Sequence, residues 1–261
     1  MDSYHNHTTF SDGKAEVADM VRAAEYAGLG EVGISDHLTV HPEGKAFRWA
    51  MPAARLGEYC AEVRGAAAGI PVRLGIEADY FPDTVEQTRG LLSRHPFDFV
   101  IGSVHFADGF LFDESRQRWA ELTPDECAAK WRLYWERVAG LARSRAFDVM
   151  GHLDLPKKFG FWMRGAGLGP ALAALDALAE AGMALELNTS GWHQPCREPY
   201  PSLELLREAC RRGIPVIVSA DAHGPEDVVR GFADAAALAR QAGYTQTARY
   251  EGRRRSLVRL G

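Results

Sequence analysis

Seven times along this chain a short strand-like run gives way to a residue that can bind a metal or carry a proton, and then to a helical pattern. The runs are residues 3–7, 32–35, 71–77, 97–104, 147–151, 183–187 and 215–219. They end on His5 and His7, on Asp36 and His37, on Glu77, on His105, on His152, on Asn188, and on Asp221 and His223. Between and after them, the spacing predicts helices over 16–28, 53–68, 83–93, 123–143, 170–180, 202–213 and from 225 to near 243. Several of these carry their own start and stop signals. Asp83 reads as an N-cap with Glu86 three residues on, and Thr123-Pro124-Asp125-Glu126 combines a capping box with proline at the first turn. Ser202 opens a helix that Gly213 ends. Strands alternating with helices build a parallel sheet. The nearly continuous apolar run at 97–104 is what a strand buried on both faces requires.

The strand ends decide the shape of that sheet. In a parallel barrel every carboxyl end lies on one rim, where such folds keep their sites. In an open sheet the edge-strand ends would stand too far apart to share one cluster. Six of the nine histidines, His5, His7, His37, His105, His152 and His223, fall at these ends. Packing alone does not account for them, because burying so many polar groups without partners costs several kcal/mol. His5 and His7, one residue apart on a strand, point to the same side. The expectation is an α/β fold whose strands close into a barrel, with the site at the C-terminal strand ends. The 261 residues suit one such domain, and neither a sequence repeat nor a Pro/Ser-rich linker divides residues 1–261.

Three protein ligands plus water make a catalytic zinc-type site. Here nine side chains are on offer: His5, His7, Asp12, His37, Glu77, His105, His152, Asp221 and His223. That number fits three divalent ions, with a carboxylate such as Glu77 shared between two. Imidazole and carboxylate without thiolate favour Zn, Mn or Fe. Asp36 reads as a carboxylate that orients a ligand. His41 lies in a loop, and His95 precedes Pro96 at the opposite rim, so neither reads as a ligand.

Composition narrows the partners. A net charge of -5 argues against a broad phosphate-backbone binder. The basic run Arg253-Arg254-Arg255 reads as a solvated tail face. No apolar run reaches the roughly 18 residues of a membrane span, and the polar start from Asp2 to Asp12 is unlike a signal peptide. Cys60, Cys127, Cys196 and Cys210 form no CxxC pair, as expected of reduced thiols in a cytoplasmic protein.

Taken in order, these segments resemble a known family. His5-Asn6-His7 with Ser11-Asp12-Gly13, Ser35-Asp36-His37, Gly75-Ile76-Glu77, Gly102-Ser103-Val104-His105, Gly151-His152, Glu186-Leu187-Asn188-Thr189-Ser190-Gly191 and Ser219-Ala220-Asp221-Ala222-His223 are similar to the motifs of the polymerase and histidinol phosphatase (PHP) superfamily. Within it the chain most resembles the monofunctional histidinol-phosphate phosphatases, in length and in the 188–191 run followed by a basic residue and Tyr200-Pro201-Ser202. The resemblance implies a distorted, TIM-like (β/α)7 barrel with three divalent metal ions. It implies His5, His7, Glu77 and Asp221 at the first ion, and Asp12, His37 and His223 at the second. Glu77, His105 and His152 would hold the third. Asp12 stands where some members carry a histidine, one residue displaced.

The chemistry expected of such a cluster is phosphate monoester hydrolysis, with ions that activate a water to hydroxide and hold the phosphate oxygens. His5, His7, Glu77, Asp221 and His223 would form the catalytic core. Arg164 and Arg197 are candidate phosphate or substrate contacts, since arginine binds phosphate bidentately, and His193 shares the loop of Arg197. Trp49, Phe110, Phe161, Trp162 and Trp192 are loop aromatics near the rim. The resemblance makes L-histidinol phosphate the expected substrate, and histidine biosynthesis the setting. Another small phosphate ester, a nucleotide, or the different chemistry of an amidohydrolase are the alternatives. Amidohydrolases usually bridge their metals with a strand-end lysine, where this chain offers Glu77.

Overall fold

The computed structural model describes residues 1–163 and 168–261. At its centre is a six-stranded parallel sheet in the spatial order Val216–Ser219, Ala184–Asn188, Val149–Met150, Ile101–Ser103, Glu77–Asp79, His37–Leu38. A second parallel pair, Val32–Ile34 with Val72–Leu74, precedes the last two strands in the chain. The N-terminal segment touches both ends of this arrangement. Ser3 bridges in parallel to Val32, and Asn6 to Ala222, just past the strand Val216–Ser219. Four backbone bonds reinforce the two bridges: Gly33 N–H to Ser3 O (2.7 Å), Ser35 N–H to Asn6 O (2.9 Å), His7 N–H to Ala222 O (2.8 Å) and Ala222 N–H to His5 O (3.1 Å). Residues 3–7, expected as a full strand, are therefore held by isolated bridges rather than by a continuous ladder.

The second and third expected strands are each broken, and at the same level. The Tyr59 hydroxyl, carried by the helix Leu56–Gly65, lies 2.9 Å from the Ile34 carbonyl oxygen and 2.7 Å from that of Gly75. The hydroxyl satisfies the Gly75 carbonyl between two cross-strand bonds that remain in place, Gly75 N–H to Ile34 O at 2.8 Å and Glu77 N–H to Asp36 O at 3.1 Å. His37 and Glu77 open the continuation strands instead of ending the first ones, and they sit side by side in register.

One face of the sheet carries Tyr4, Phe99, Ile101, Val149, Ala184 and Ile217, packed with Ala248 and Tyr250. Val100, one residue on from Phe99, joins the larger core under the helices. This alternation explains the unbroken apolar run, since a strand covered on both sides needs an apolar residue at every position. Phe99 is wholly buried, worth about 1.5–3 kcal/mol. Its ring occupies the space a side chain would need at Gly75, where a Cβ would lie 2.1 Å from it.

The helix boundaries follow local chemistry. Thr123 and Glu126 form a full capping box at the head of the helix Pro124–Ser144, and Ser202 caps Leu203–Arg211. Asp83 does not cap: the helix Val85–Leu92 is preceded by Thr84, whose hydroxyl donates instead to the Val40 carbonyl. The segment expected as a last long helix is a short turn at Pro225–Asp227 followed by the helix Phe232–Ala242, entered through Gly231 at φ +73°.

Arg253-Arg254-Arg255 is solvated as expected, but it is ordered structure rather than a tail. It belongs to an antiparallel hairpin, Gln246–Glu251 with Arg254–Arg259. Ala248 and Tyr250 press into the inner cluster. Gly252 N–H donates to the Asp98 carboxylate, and Arg253 is paired with Asp148 at 2.6 Å. Asp98 and Asp148 precede their strands, so the hairpin covers the end of the sheet opposite the strand-end histidines. No helix among the described residues is long and apolar enough to cross a membrane.

Candidate metal centre

All nine ligand candidates converge at the C-terminal side of the sheet. Three groups each offer one ligand atom per residue with all atoms within 4.8 Å of one another: His5, His7 and Glu77; Glu77, His105 and His152; and His7, Asp12, His37 and His223. Asp221 joins the first, with Oδ1 3.1 Å from His7 Nε2 and 3.7 Å from His5 Nε2. Glu77 lies at the centre, 1% exposed. Its Oε2 is 3.0 Å from His5 Nε2 and 2.8 Å from His37 Nδ1, and its Oε1 is 2.9 Å from His152 Nε2. His7 faces two groups, with Nε2 towards Asp221 and Nδ1 4.0 Å from Asp12.

Electrostatics follow from this crowding. Burial opposes ionisation of Glu77, yet the fields of His37 and His5 hold its carboxyl well below the usual range. Asp221 is likewise held down against burial, chiefly by His5 and a hydrogen bond from His7. Burial works against protonated His105, but Asp79 overrides it and raises the ring to about 10. His223 rises to about 9 through its bond to Asp12, again against burial. His7 goes the other way: burial, then His37 and His223, push it down to about 3.

The donor set suits divalent cations. His5 Nε2, His7 Nδ1, Glu77 Oε2 and His152 Nδ1 are buried without a hydrogen-bond partner. Each such orphan costs about 1–3 kcal/mol; His5 Nε2 and Glu77 Oε2 face each other in one ligand group and His7 Nδ1 faces Asp12 in another, whereas His152 turns Nε2 rather than Nδ1 to Glu77. Bound cations would relieve the first three, which match the imidazole and carboxylate donors that Zn, Mn and Fe accept.

Behind the ligands stands a layer of carboxylates. Asp79 takes His105 Nδ1 at 2.7 Å. Glu186 takes His5 Nδ1 at 2.6 Å. Asp36 accepts from the Thr8 backbone and hydroxyl, both at 2.8 Å, and from Ser11, so it shapes the turn that carries Asp12. That agrees with an orienting role. Glu186 and Asp79 were given no role from sequence. Each lies two residues from a residue already singled out, Asn188 and Glu77, and the two-residue period of a strand would have put them on the same face.

A cavity of about 550 Å³ opens over these groups. Trp49, Leu111 and Tyr200 give it apolar wall, and Asp113, Glu114 and Asp227 give it negative charge. Of the loop aromatics expected near the rim, Trp49 lines it and packs edge-on against His37. Phe110 and Phe161 pack on Trp119 instead, and Trp162 lines a separate cavity. Lys158 and Arg230 are the cations among the described lining residues. Lys158 pairs with Asp113 at 3.1 Å, and Arg230 with Asp227 at 2.8 Å. His193 and Arg197 are exposed and lie outside that lining, although Ser190 and Gln194, in the same loop, belong to it. Arg164 lies outside the described residues. His41 sits among Phe47, Phe81 and Phe106, away from the ligand groups, as expected.

Known proteins match this arrangement over nearly the whole chain. The probable histidinol-phosphatase of Deinococcus radiodurans is 40% identical over 86% of this chain and 86% of its own length. The histidinol-phosphatase of Lactococcus lactis is 24% identical over 95% of this chain and 94% of its own. The crystal structure of histidinol phosphate phosphatase from Lactococcus lactis, complexed with zinc, L-histidinol and phosphate, shares the fold: TM-score 0.79, 21% identity, 98% of each chain covered. The PHP domain model matches residues 3–190. On that match, and on the 40% identity to the Deinococcus protein, the chain belongs to the PHP domain family.

Proposed function

We propose that this protein is a metal-dependent phosphomonoesterase that hydrolyses L-histidinol phosphate to L-histidinol and phosphate, as a step of histidine biosynthesis. The observation that carries the reading is the convergence of six histidines, Glu77, Asp12 and Asp221 on three groups sharing Glu77 and His7. The Deinococcus relative, named a probable histidinol-phosphatase, supports the substrate. So does the cavity, whose acidic wall suits an alcohol leaving group that bears an amine.

Three divalent ions, Zn, Mn or Fe, would be held as the groups suggest: one by His5, His7, Glu77 and Asp221, one by Asp12, His37 and His223, one by Glu77, His105 and His152. Bound there, they would supply an acidified water and neutralise the phosphate oxygens. The protein's own part is to orient and to exclude. His5 and His105 would hold their protons at Nδ1 on Glu186 and Asp79, leaving a lone pair on Nε2 for the ion. Trp49, Leu111 and Tyr200 shed water from the leaving group. Lys158 and Arg230 face the cavity and meet phosphate oxygens. Arg164, His193 and Arg197 are substrate contacts on the family resemblance alone, since His193 and Arg197 stand outside the cavity lining.

We further read residues 1–261 as one PHP-type hydrolase domain in which seven parallel segments close into a distorted barrel. The bridges of Ser3 to Val32 and Asn6 to Ala222 support closure, because they join the first segment to its neighbours on both sides. Four free thiols are in keeping with the cytoplasm. A small phosphate ester, rather than nucleic acid, is the partner.

The test is direct. Metal content would be measured on the purified protein, and phosphate release assayed over a panel that includes histidinol phosphate and nucleotides. Two or more ions per chain with preferential release from histidinol phosphate is the expected outcome. Preference for nucleotides would overturn the substrate. Fewer than one ion, with no activity after adding Mn or Zn, would overturn the centre.

A further inference from the structure

We propose that Glu186 is a positioning residue that couples two of the three ion sites; the inference rests on the metal-centre reading above. Glu186 lies mid-strand in Ala184–Asn188 and is fully buried. Its carboxylate receives four donors from four segments of the chain. Oε1 accepts from His5 Nδ1 at 2.6 Å and Ser219 Oγ at 2.5 Å. Oε2 accepts from the His152 backbone N–H at 2.6 Å and from Asn188 Nδ2 at 3.1 Å. Asn188 Nδ2 also reaches Asp221 Oδ2 at 3.3 Å.

Two of these donors belong to different ion groups. His5 stands with His7 and Glu77, and His152 stands with Glu77 and His105. Holding the proton at His5 Nδ1 leaves Nε2 with a lone pair, 3.0 Å from Glu77 Oε2 and otherwise unpartnered. Fixing the His152 backbone sets the ring whose Nε2 is 2.9 Å from Glu77 Oε1. One side chain therefore aims the ligands on both oxygens of Glu77. Asp79 is the contrast: it holds His105 Nδ1 and accepts from Thr39, and touches one ion group only.

The four partners make glutamate hard to replace. An amide offers one oxygen and one NH2 in place of two acceptor oxygens. With the NH2 towards Oε2's partners, the His152 N–H loses its acceptor and cannot reverse its role. With the NH2 towards Oε1's partners, Ser219 can turn its hydroxyl, but His5 can accept only by moving its proton to Nε2. That move removes the lone pair a metal needs. In either orientation an ion site is damaged directly, and the other is damaged through Glu77, which both share.

The experiment is a zinc titration against a competing chelator, with metal content after dialysis, on wild type, Glu186→Gln and Asp79→Asn, each checked for folding by circular dichroism. Loss of an orienting partner costs about 10–100-fold in metal affinity. Glu186→Gln is expected to weaken two sites by that factor, and Asp79→Asn one. A folded Glu186→Gln protein with one weakened site, or none, overturns the proposal while leaving the metal centre intact. A wild type that binds a single zinc ion overturns the coupling alone, and one that binds less than one, inactive after added Mn or Zn, overturns the metal-centre reading as well. If Glu186→Gln does not fold, imidazole 1H–15N spectra of the zinc-loaded wild type decide: a His5 proton on Nδ1, protected from exchange, is expected, and one on Nε2 overturns the proposal.

Discussion

At the floor of the site His5, His105 and His152 are buried, and Glu186 or Asp79 grips each of them by ring or backbone. At the mouth, the Asp12 and His223 side chains are about a third exposed, 33% and 32%, and meet each other at 3.3 Å. His223 Nδ1 leans on the Asp221 backbone carbonyl at 3.0 Å rather than on a buried carboxylate. The floor hangs from strands and the mouth from turns. Solvent screens charges at the mouth and leaves those at the floor unscreened. The floor is thus the place where a single change should cost most, and the mouth the place where ligands can shift as substrate enters and product leaves.

That contrast can be broken by substitution. Glu77→Gln should have the largest effect, because Glu77 serves two groups: a loss of about 4 kcal/mol of transition-state stabilisation, near 10³-fold in kcat/KM, with release of metal. Steady-state kinetics beside metal analysis checks it. A Gly75→Ala change, where the Phe99 ring leaves no room, should cost about 1–3 kcal/mol of stability by overpacking, read in a urea melt, because it pushes on the floor from below. Asp12→Asn at the mouth should lower zinc affinity about tenfold at one site, the low end expected for a group with a solvent alternative. If instead it matches Glu77→Gln, the two regions are not distinct.

The pH dependence sharpens the same contrast. In the metal-free protein His105 is raised to about 10 and His223 to about 9, both above the ordinary value of 6.5. Their protonated forms stabilise the fold fully below about 6.5, and that contribution is lost as pH rises through 9 to 10. A cation must displace those protons, so zinc affinity should climb with pH over the same window. His7, lowered to about 3, has no proton to shed. Calorimetry in buffers of different ionisation enthalpy would count the protons released, and release that does not vary between pH 6.5 and 9 would contradict the assignment. The smallest effect belongs to a position remote from both regions. Thr123→Ala removes the cap of the helix Pro124–Ser144 and should cost about 1 kcal/mol, seen as a lower thermal midpoint with kcat/KM unchanged.

Much of this was legible in the residues. Imidazoles and carboxylates at the ends of apolar runs drew attention because nothing in a core needs them there, and all nine came together. The parallel sheet followed from alternation, and the capping box from four residues. What escaped depended on partners distant in sequence. At the double break the Tyr59 hydroxyl meets the carbonyls of Ile34 and Gly75, a contact no local pattern reveals. Asp83 lost the cap because the Thr84 hydroxyl found Val40. Arg253-Arg254-Arg255 is exposed as expected, but the pairing of Arg253 was hidden because its carboxylate, Asp148, lies about a hundred residues earlier. Lys158 and Arg230 carry no motif, and only the folded loops turn them to the cavity.

The C-terminal hairpin has one more consequence. Tyr250 N–H donates to the Tyr4 hydroxyl, and Arg249 clasps Asp2 at 2.7 Å. The segment bearing His5 and His7 is thus moored by residues made some 240 positions later. The pair therefore draws on both ends of the sequence: its first ties come within 35 residues, at Gly33 and Ser35, and its others only with Ala222 and the hairpin.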